Sequence, residues 1–74
     1  LVRTLPSHRR QLGEAIRSRR RGAGLTQEKL AEMSDLNPKF ISEVERGRKN
    51  VSVDALVRIS KALETKVGSL TEDF

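Results

Sequence analysis

Apolar residues along this chain recur three and four positions apart, which is the spacing of helices that bury one face. Leu12, Ala15 and Ile16 follow it near the N-terminus, and a broad apolar stripe runs from Val53 to Leu63. No segment shows the sustained apolar–polar alternation of a half-buried strand. The pattern predicts an all-α fold, a compact bundle of five short helices.

Helix start and stop signals divide the chain at four points. Ser7, Thr26, Asn37 and Ser52 are good N-caps, and Pro38 stands at the first helical position after Asn37. Glycines at 22, 24 and 47 can end helices in left-handed caps. The predicted helices cover about residues 7–21, 27–34, 38–46, 53–63 and 66–70.

The second and third predicted helices have roughly eight or nine residues each, too few to persist alone in water. Only about three residues join them, so they must cross steeply, as in a helix-turn-helix. Ala31 allows a close crossing, while Ile41 and Val44, with Phe40, form the inward stripe of the third helix. A shared core must therefore hold the two helices together.

The opposite side of the third helix carries a polar stripe at positions i, i+3, i+4 and i+7. Each member can form hydrogen bonds to a base edge or a phosphate, and a helix of about 10–12 Å diameter fits the DNA major groove. This hypothesis requires the stripe to face outward. Its members are Lys39, Ser42, Glu43 and Arg46.

Length and charge sharpen this interpretation. The 74 residues suffice for one domain, expected at 10–71, with an N-terminal extension at 1–9 and a C-terminal tail at 72–74. Residues 1–24 hold seven arginines and one acidic residue, whereas residues 25–74 hold eight lysines or arginines and nine acidic residues. Such asymmetry favours a polyanionic partner, with nucleic acid first; the alternative is a solvated basic face.

Other classes of protein are disfavoured. The chain has no Cys and one His, His8, and it lacks a nucleophile–base pair and a phosphate-cradling glycine loop. We therefore expect no enzyme, no cofactor and no metal site. No apolar run approaches the roughly 18 residues of a membrane span, and residues 1–6 are too short and polar for a signal peptide. A cytoplasmic protein without a membrane partner is expected.

Several motifs combine into a family resemblance. Gly24-Leu25-Thr26-Gln27, then Leu30-Ala31, then Ile41-Ser42 and Val44-Glu45-Arg46-Gly47 resemble the Cro-like, phage-repressor-type helix-turn-helix family, also called the xenobiotic-response-element type. The resemblance covers roughly residues 10–70. It implies a five-helix transcriptional regulator, often a repressor. Such a protein binds a two-fold symmetric operator in double-stranded DNA as a homodimer, with the third helix in the major groove.

The resemblance also implies roles for single residues. Lys39 is the first candidate for base readout, followed by Ser42 and Glu43; Lys39 could instead contact phosphate, and Glu43 could pair with Lys39. Pro38 departs from the polar residue of many relatives and offers only an apolar surface, for example to a thymine methyl. Arg20 and Glu45 occupy the positions of a partly buried structural ion pair.

Phosphate contacts are implied at the start of the second helix, along the first helix and after the third helix. Gln27 opens the second helix, whose N-terminus favours anions. Phe40 could lie against the sugar–phosphate backbone, although packing inside the domain is favoured. The expected phosphate-contacting residues are Thr26, Gln27, Phe40, Arg46, Arg48, Lys49, Asn50 and Arg17.

The C-terminal apolar residues Val67, Leu70 and Phe74 are expected to form the dimer interface. Segments 34–37 and 48–52 resemble the small controller proteins of restriction–modification systems. The alternative function is an antitoxin-type module that neutralises a protein partner and regulates itself through DNA binding. The few residues that flank the predicted domain favour the regulator, and recovery of a stoichiometric toxin would favour the antitoxin.

Overall fold

The computed structural model describes residues 7–74, which form five helices and no strand. The predicted all-α fold is confirmed. Residues 1–6, which make up most of the predicted extension at 1–9, lie outside the described residues. No helix within 7–74 is both long and apolar enough to cross a membrane. The helices are α1 His8–Gly22, α2 Gln27–Ser34, α3 Pro38–Glu45, α4 Val53–Ala62 and α5 Val67–Leu70.

Side-chain caps start four of the helices. Ser7, Thr26, Asn37 and Ser52 have extended backbones, and each side-chain oxygen accepts a hydrogen bond from a backbone N–H two or three residues later. These N···O distances are 3.4 Å at Ser7, 3.0 Å at Thr26, 2.7 Å at Asn37 and 3.1 Å at Ser52. The caps satisfy donors that a helix N-terminus leaves free, so these starts are encoded locally.

Within residues 7–74, two residues other than glycine adopt left-handed backbones after helices. Asp35 caps the end of α2 with φ 55° and ψ 48°, and Glu64 follows α4 with φ 53°. Asp tolerates this conformation better than most residues because its short side chain can bond locally. The turn between α2 and α3 therefore closes without glycine, at a cost in backbone energy.

A single core joins the helices. Ile16, Leu30, Ile41 and Ile59 are fully buried there, one from each of α1 to α4. α3 packs against both α1 and α2, while α4 packs against α2 and α5. This arrangement fixes α3 along one side and leaves its other side uncovered.

The apolar stripe predicted for α4 needs one correction. Val53, the first residue of the helix, is 76% exposed. Ala55 is buried two residues later, with Ile59 one turn beyond.

Glycine permits the close crossing of α1 and α3. A Cβ at Gly13 would overlap the carbonyl oxygen of Val44 and lie 2.8 Å from that of Glu45. The helices could not approach this closely with a larger residue at that position. Gly13 therefore lets the first half of α1 rest directly on the end of α3.

Candidate nucleic-acid interface

The polar stripe of α3 faces away from the core. Lys39 and Arg46 are exposed, and Ser42 and Glu43 are partly exposed. On the opposite side of the helix, buried apolar residues fix it in place, notably Ile41 at 0% exposure. The orientation that the sequence hypothesis requires is therefore present in the fold.

The first turn of α3 adjoins the loop that follows the helix. Asn37, Lys39, Phe40, Glu43 and Lys49 line one shallow groove at the surface. Phe40 is only partly buried, and it packs against the core while it borders this groove. Pro38 is exposed at the helix start. Donors, an acceptor and an aromatic edge thus share one open surface.

A buried ion pair anchors the end of α3 to α1. Arg20 Nε lies 2.7 Å from Glu45 Oε2, and Arg20 Nη2 lies 3.0 Å from Glu45 Oε1. Arg20 Nη1 also donates to the carbonyl oxygen of Leu25 at 2.8 Å. Hydrogen bonding to Glu45 raises the pKa of Arg20 above its ordinary value, although burial opposes this, so the guanidinium stays charged.

Gln27 joins the same network from the start of α2. Its Nε2 donates to Glu45 Oε1 at 3.0 Å. This contact was absent from the sequence prediction, because the residues lie 18 positions apart on different helices and no local pattern pairs them. The amide nitrogen carries two hydrogens, so one N–H remains for a second acceptor. Gln27 can therefore hold the network together and still face a ligand.

The other residues expected at phosphates are spread over three elements. Arg48, Lys49 and Asn50 are exposed in the loop between α3 and α4. Thr26 is exposed, and its hydroxyl caps α2. Arg17 is exposed on α1, where it borders a shallow depression with Glu14 and Arg21. The loop residues therefore continue the surface of α3, whereas Arg17 belongs to a separate element.

The predicted dimer interface needs a correction. Leu70 is only 2% exposed, because α5 folds back against α1 and α4 and inserts this side chain into the core of its own subunit. Val67 is partly exposed. Phe74 is 51% exposed and stacks on His8, with ring centroids 4.8 Å apart. Of the three residues predicted for the interface, Val67 and Phe74 keep exposed surface that a partner could contact.

No group of three or more His, Cys, Asp or Glu side chains suited to a metal ion occurs within residues 7–74.

Comparisons with known proteins agree on one family. A family model described as helix-turn-helix matches residues 16–70. The control protein C.SmaI of Serratia marcescens is 44% identical over 59 residues, which cover 80% of this chain and 70% of that protein.

Two solved structures are similar along most of the chain. The restriction-modification controller protein C.AhdI of Aeromonas hydrophila has a TM-score of 0.85 and 32% identity, and the match covers 88% of this chain and 98% of that one. The clp gene regulator ClgR of Corynebacterium glutamicum also has a TM-score of 0.85, with 43% identity, covering 88% of this chain and 69% of that one.

Proposed function

Since the chain belongs to the helix-turn-helix family, we propose that it is a sequence-specific transcriptional regulator that binds double-stranded DNA through α3. One observation carries this proposal. The exposed side of α3 displays four side chains that can form hydrogen bonds, and the helix itself is held by a buried ion pair. A rigid helix with an open polar face is what readout in the major groove requires.

Base readout falls to the first two turns of α3. Lys39 can donate to O6 and N7 of guanine, and Glu43 can accept from N4 of cytosine. Ser42 can serve either kind of base, while Pro38 offers an apolar surface to a thymine methyl. Their exposure on one helix supports a shared role in specificity.

Phosphate contacts flank this readout on two sides. Gln27 and Thr26 stand at the start of α2, where free backbone N–H groups favour an anion. Arg46, Arg48, Lys49 and Asn50 supply donors at the end of α3 and in the following loop. We assign Arg17 and Phe40 to supporting backbone contacts. These groups would fix the position of α3 on the duplex without reading sequence.

We also propose that the regulator acts as a homodimer in the cytoplasm, with Val67 and Phe74 in the subunit contact. One domain makes few base contacts, and two-fold pairing doubles them. The two α3 helices would then lie about 34 Å apart, one turn of DNA. The likeness to C.SmaI and C.AhdI supports a controller-type regulator of restriction–modification genes.

Selection of bound duplexes from a random pool tests the proposal. We expect a two-fold symmetric sequence whose half-sites are centred about one helical turn apart. The same selection with Lys39→Ala should lose preference at one position in each half-site. A wild-type selection without sequence enrichment would contradict the proposed function.

A further inference from the structure

We propose that the phosphate-binding surface extends beyond the loop after α3 onto the first turn of α1, through Arg9 and Arg10. This inference rests on the proposed function and adds residues to its DNA contact. Arg9 and Arg10 belong to the basic N-terminal segment, but they are not among the phosphate-contacting residues expected from the sequence.

Tertiary packing brings the two elements together. Gly47 follows α3 with φ 74°, and a Cβ at this position would lie 2.9 Å from the Cα of Arg10. Gly13 permits the same close approach one turn further along α1. The backbone of the first turn of α1 is therefore seated against the start of the loop that carries Arg48 and Lys49.

The side chain of Arg9 shares a surface with that loop. Arg9, Lys49, Asn50 and Val51 line one open groove, together with the stacked rings of His8 and Phe74. The positive charge of Arg9 on α1 thus lies beside that of Lys49 in the loop, although these residues are 40 positions apart in the sequence.

The exposed cations of α1 and of the loop after α3 form one basic surface, made up of Arg9, Arg10, Arg46, Arg48 and Lys49. None of these five side chains lies within 4.0 Å of a carboxylate in residues 7–74. Elsewhere on the surface, Lys29 pairs with Glu32 at 2.9 Å, so the fold does neutralise some of its cations.

The dipole of α1 disfavours the two arginines in its first turn. The first turn of a helix favours acidic side chains, because they complement the helix dipole, yet α1 has none there. Arg9 and Arg10 oppose the dipole and add to the repulsion among the cations of the loop. A polyanion relieves both costs. Duplex DNA carries one negative charge per about 1.7 Å of its axis, so neighbouring phosphates can serve both elements.

The test compares two double variants that remove the same charge. Arg9→Gln/Arg10→Gln alters the basic surface. Arg19→Gln/Lys61→Gln is the matched control, because neither residue belongs to the basic surface. Arg19 borders the cavity between α1 and α5, and Lys61 borders a groove beside Met33. Binding is measured against salt concentration on the selected duplex and on a duplex of unrelated sequence. Thermal unfolding is measured alongside.

Loss of Arg9 and Arg10 should reduce the slope of log affinity against log salt by about 0.9 for each lost contact. The reduction should be the same on both duplexes, since phosphate contacts do not depend on sequence. The melting temperature should stay unchanged or rise, which a purely structural role would not produce. The control should retain the wild-type slope.

An unchanged slope in Arg9→Gln/Arg10→Gln overturns the inference, as does an equal reduction in the control, which would indicate a general effect of net charge. In either case wild-type preference for the selected duplex leaves the proposed function standing. Failure of the wild-type protein to bind either duplex would refute the proposed function and this extension together.

Discussion

Arg20 and Glu45 form a two-bond ion pair that ties α1 to the last residue of α3, with 10% and 3% of their side-chain surfaces exposed. The same carboxylate accepts a third bond from Gln27 at the start of α2. Three helices therefore meet at one buried acid.

Glu45→Ala should destabilise the fold strongly, because it leaves the buried guanidinium of Arg20 without its acceptor. We expect a loss of about 3–5 kcal/mol in the free energy of unfolding, measured by urea denaturation. Replacing both partners with apolar residues, as in Arg20→Met/Glu45→Leu, should cost less than either single change. A double variant with a lower free energy of unfolding than Glu45→Ala would contradict this account.

Gly13→Ala should disrupt the crossing of α1 and α3, since the added methyl overlaps backbone oxygen rather than a flexible side chain. We expect destabilisation of about 1–3 kcal/mol or more. Gly22→Ala is the matched control, because nothing lies within 4 Å of its Cβ position and its φ is not left-handed. That change should stabilise α1 by about 0.5–1 kcal/mol. Equal melting temperatures for the two variants would refute the crossing argument.

Asp35→Gly should stabilise the protein, because glycine adopts the left-handed backbone of this position more readily. Little is lost in exchange, since the Asp35 side chain is 98% exposed and lies 3.8 Å from Arg58. We expect a gain of about 0.5–1 kcal/mol, whereas Asp35→Ala should lose about 1 kcal/mol. Thermal unfolding of the pair separates backbone conformation from loss of the carboxylate, and a loss in both variants would show that the carboxylate matters more.

Lys39→Ala and Gln27→Ala should weaken DNA binding in different ways. Lys39→Ala should relax preference at one base position, which we expect to cost about 1–3 kcal/mol of discrimination. Gln27→Ala should weaken binding to all sequences alike, and it should also lower stability because its bond to Glu45 is lost. Competition binding with single-base operator variants distinguishes the two. Identical profiles would show that these roles are wrongly assigned.

Val67→Asp and Leu70→Ala should separate self-association from folding. Val67 is partly exposed, so the charged variant should remain folded while sedimentation shows a weaker dimer. Leu70 is buried in its own subunit, so truncation should cost about 2–5 kcal/mol of stability. An unchanged dimer in Val67→Asp would remove this residue from the proposed interface.

Local signals explain what the sequence could predict. The caps at Thr26, Asn37 and Ser52, and the outward stripe of α3, follow from neighbouring residues, so the helices and the exposed side of α3 were predictable. The family resemblance is likewise confirmed by the match over residues 16–70.

Contacts between distant residues explain the rest. Leu70 was assigned to a partner because a helix of four residues gives no local sign of what covers it. The bond from Gln27 to Glu45 and the clearance at Gly13 depend on how helices cross, which periodicity does not report. Each of these features depends on contacts between helices that are distant in the sequence.

The brevity of α2 and α3, eight residues each, has a consequence for control of gene expression. Neither helix is stable without the core, so the amide hydrogens that form intrahelical bonds on α3 should exchange with solvent only when the whole domain opens. Occupancy of a promoter would then track the folded fraction of the chain. Substitutions far from the duplex could adjust transcription by altering that fraction alone.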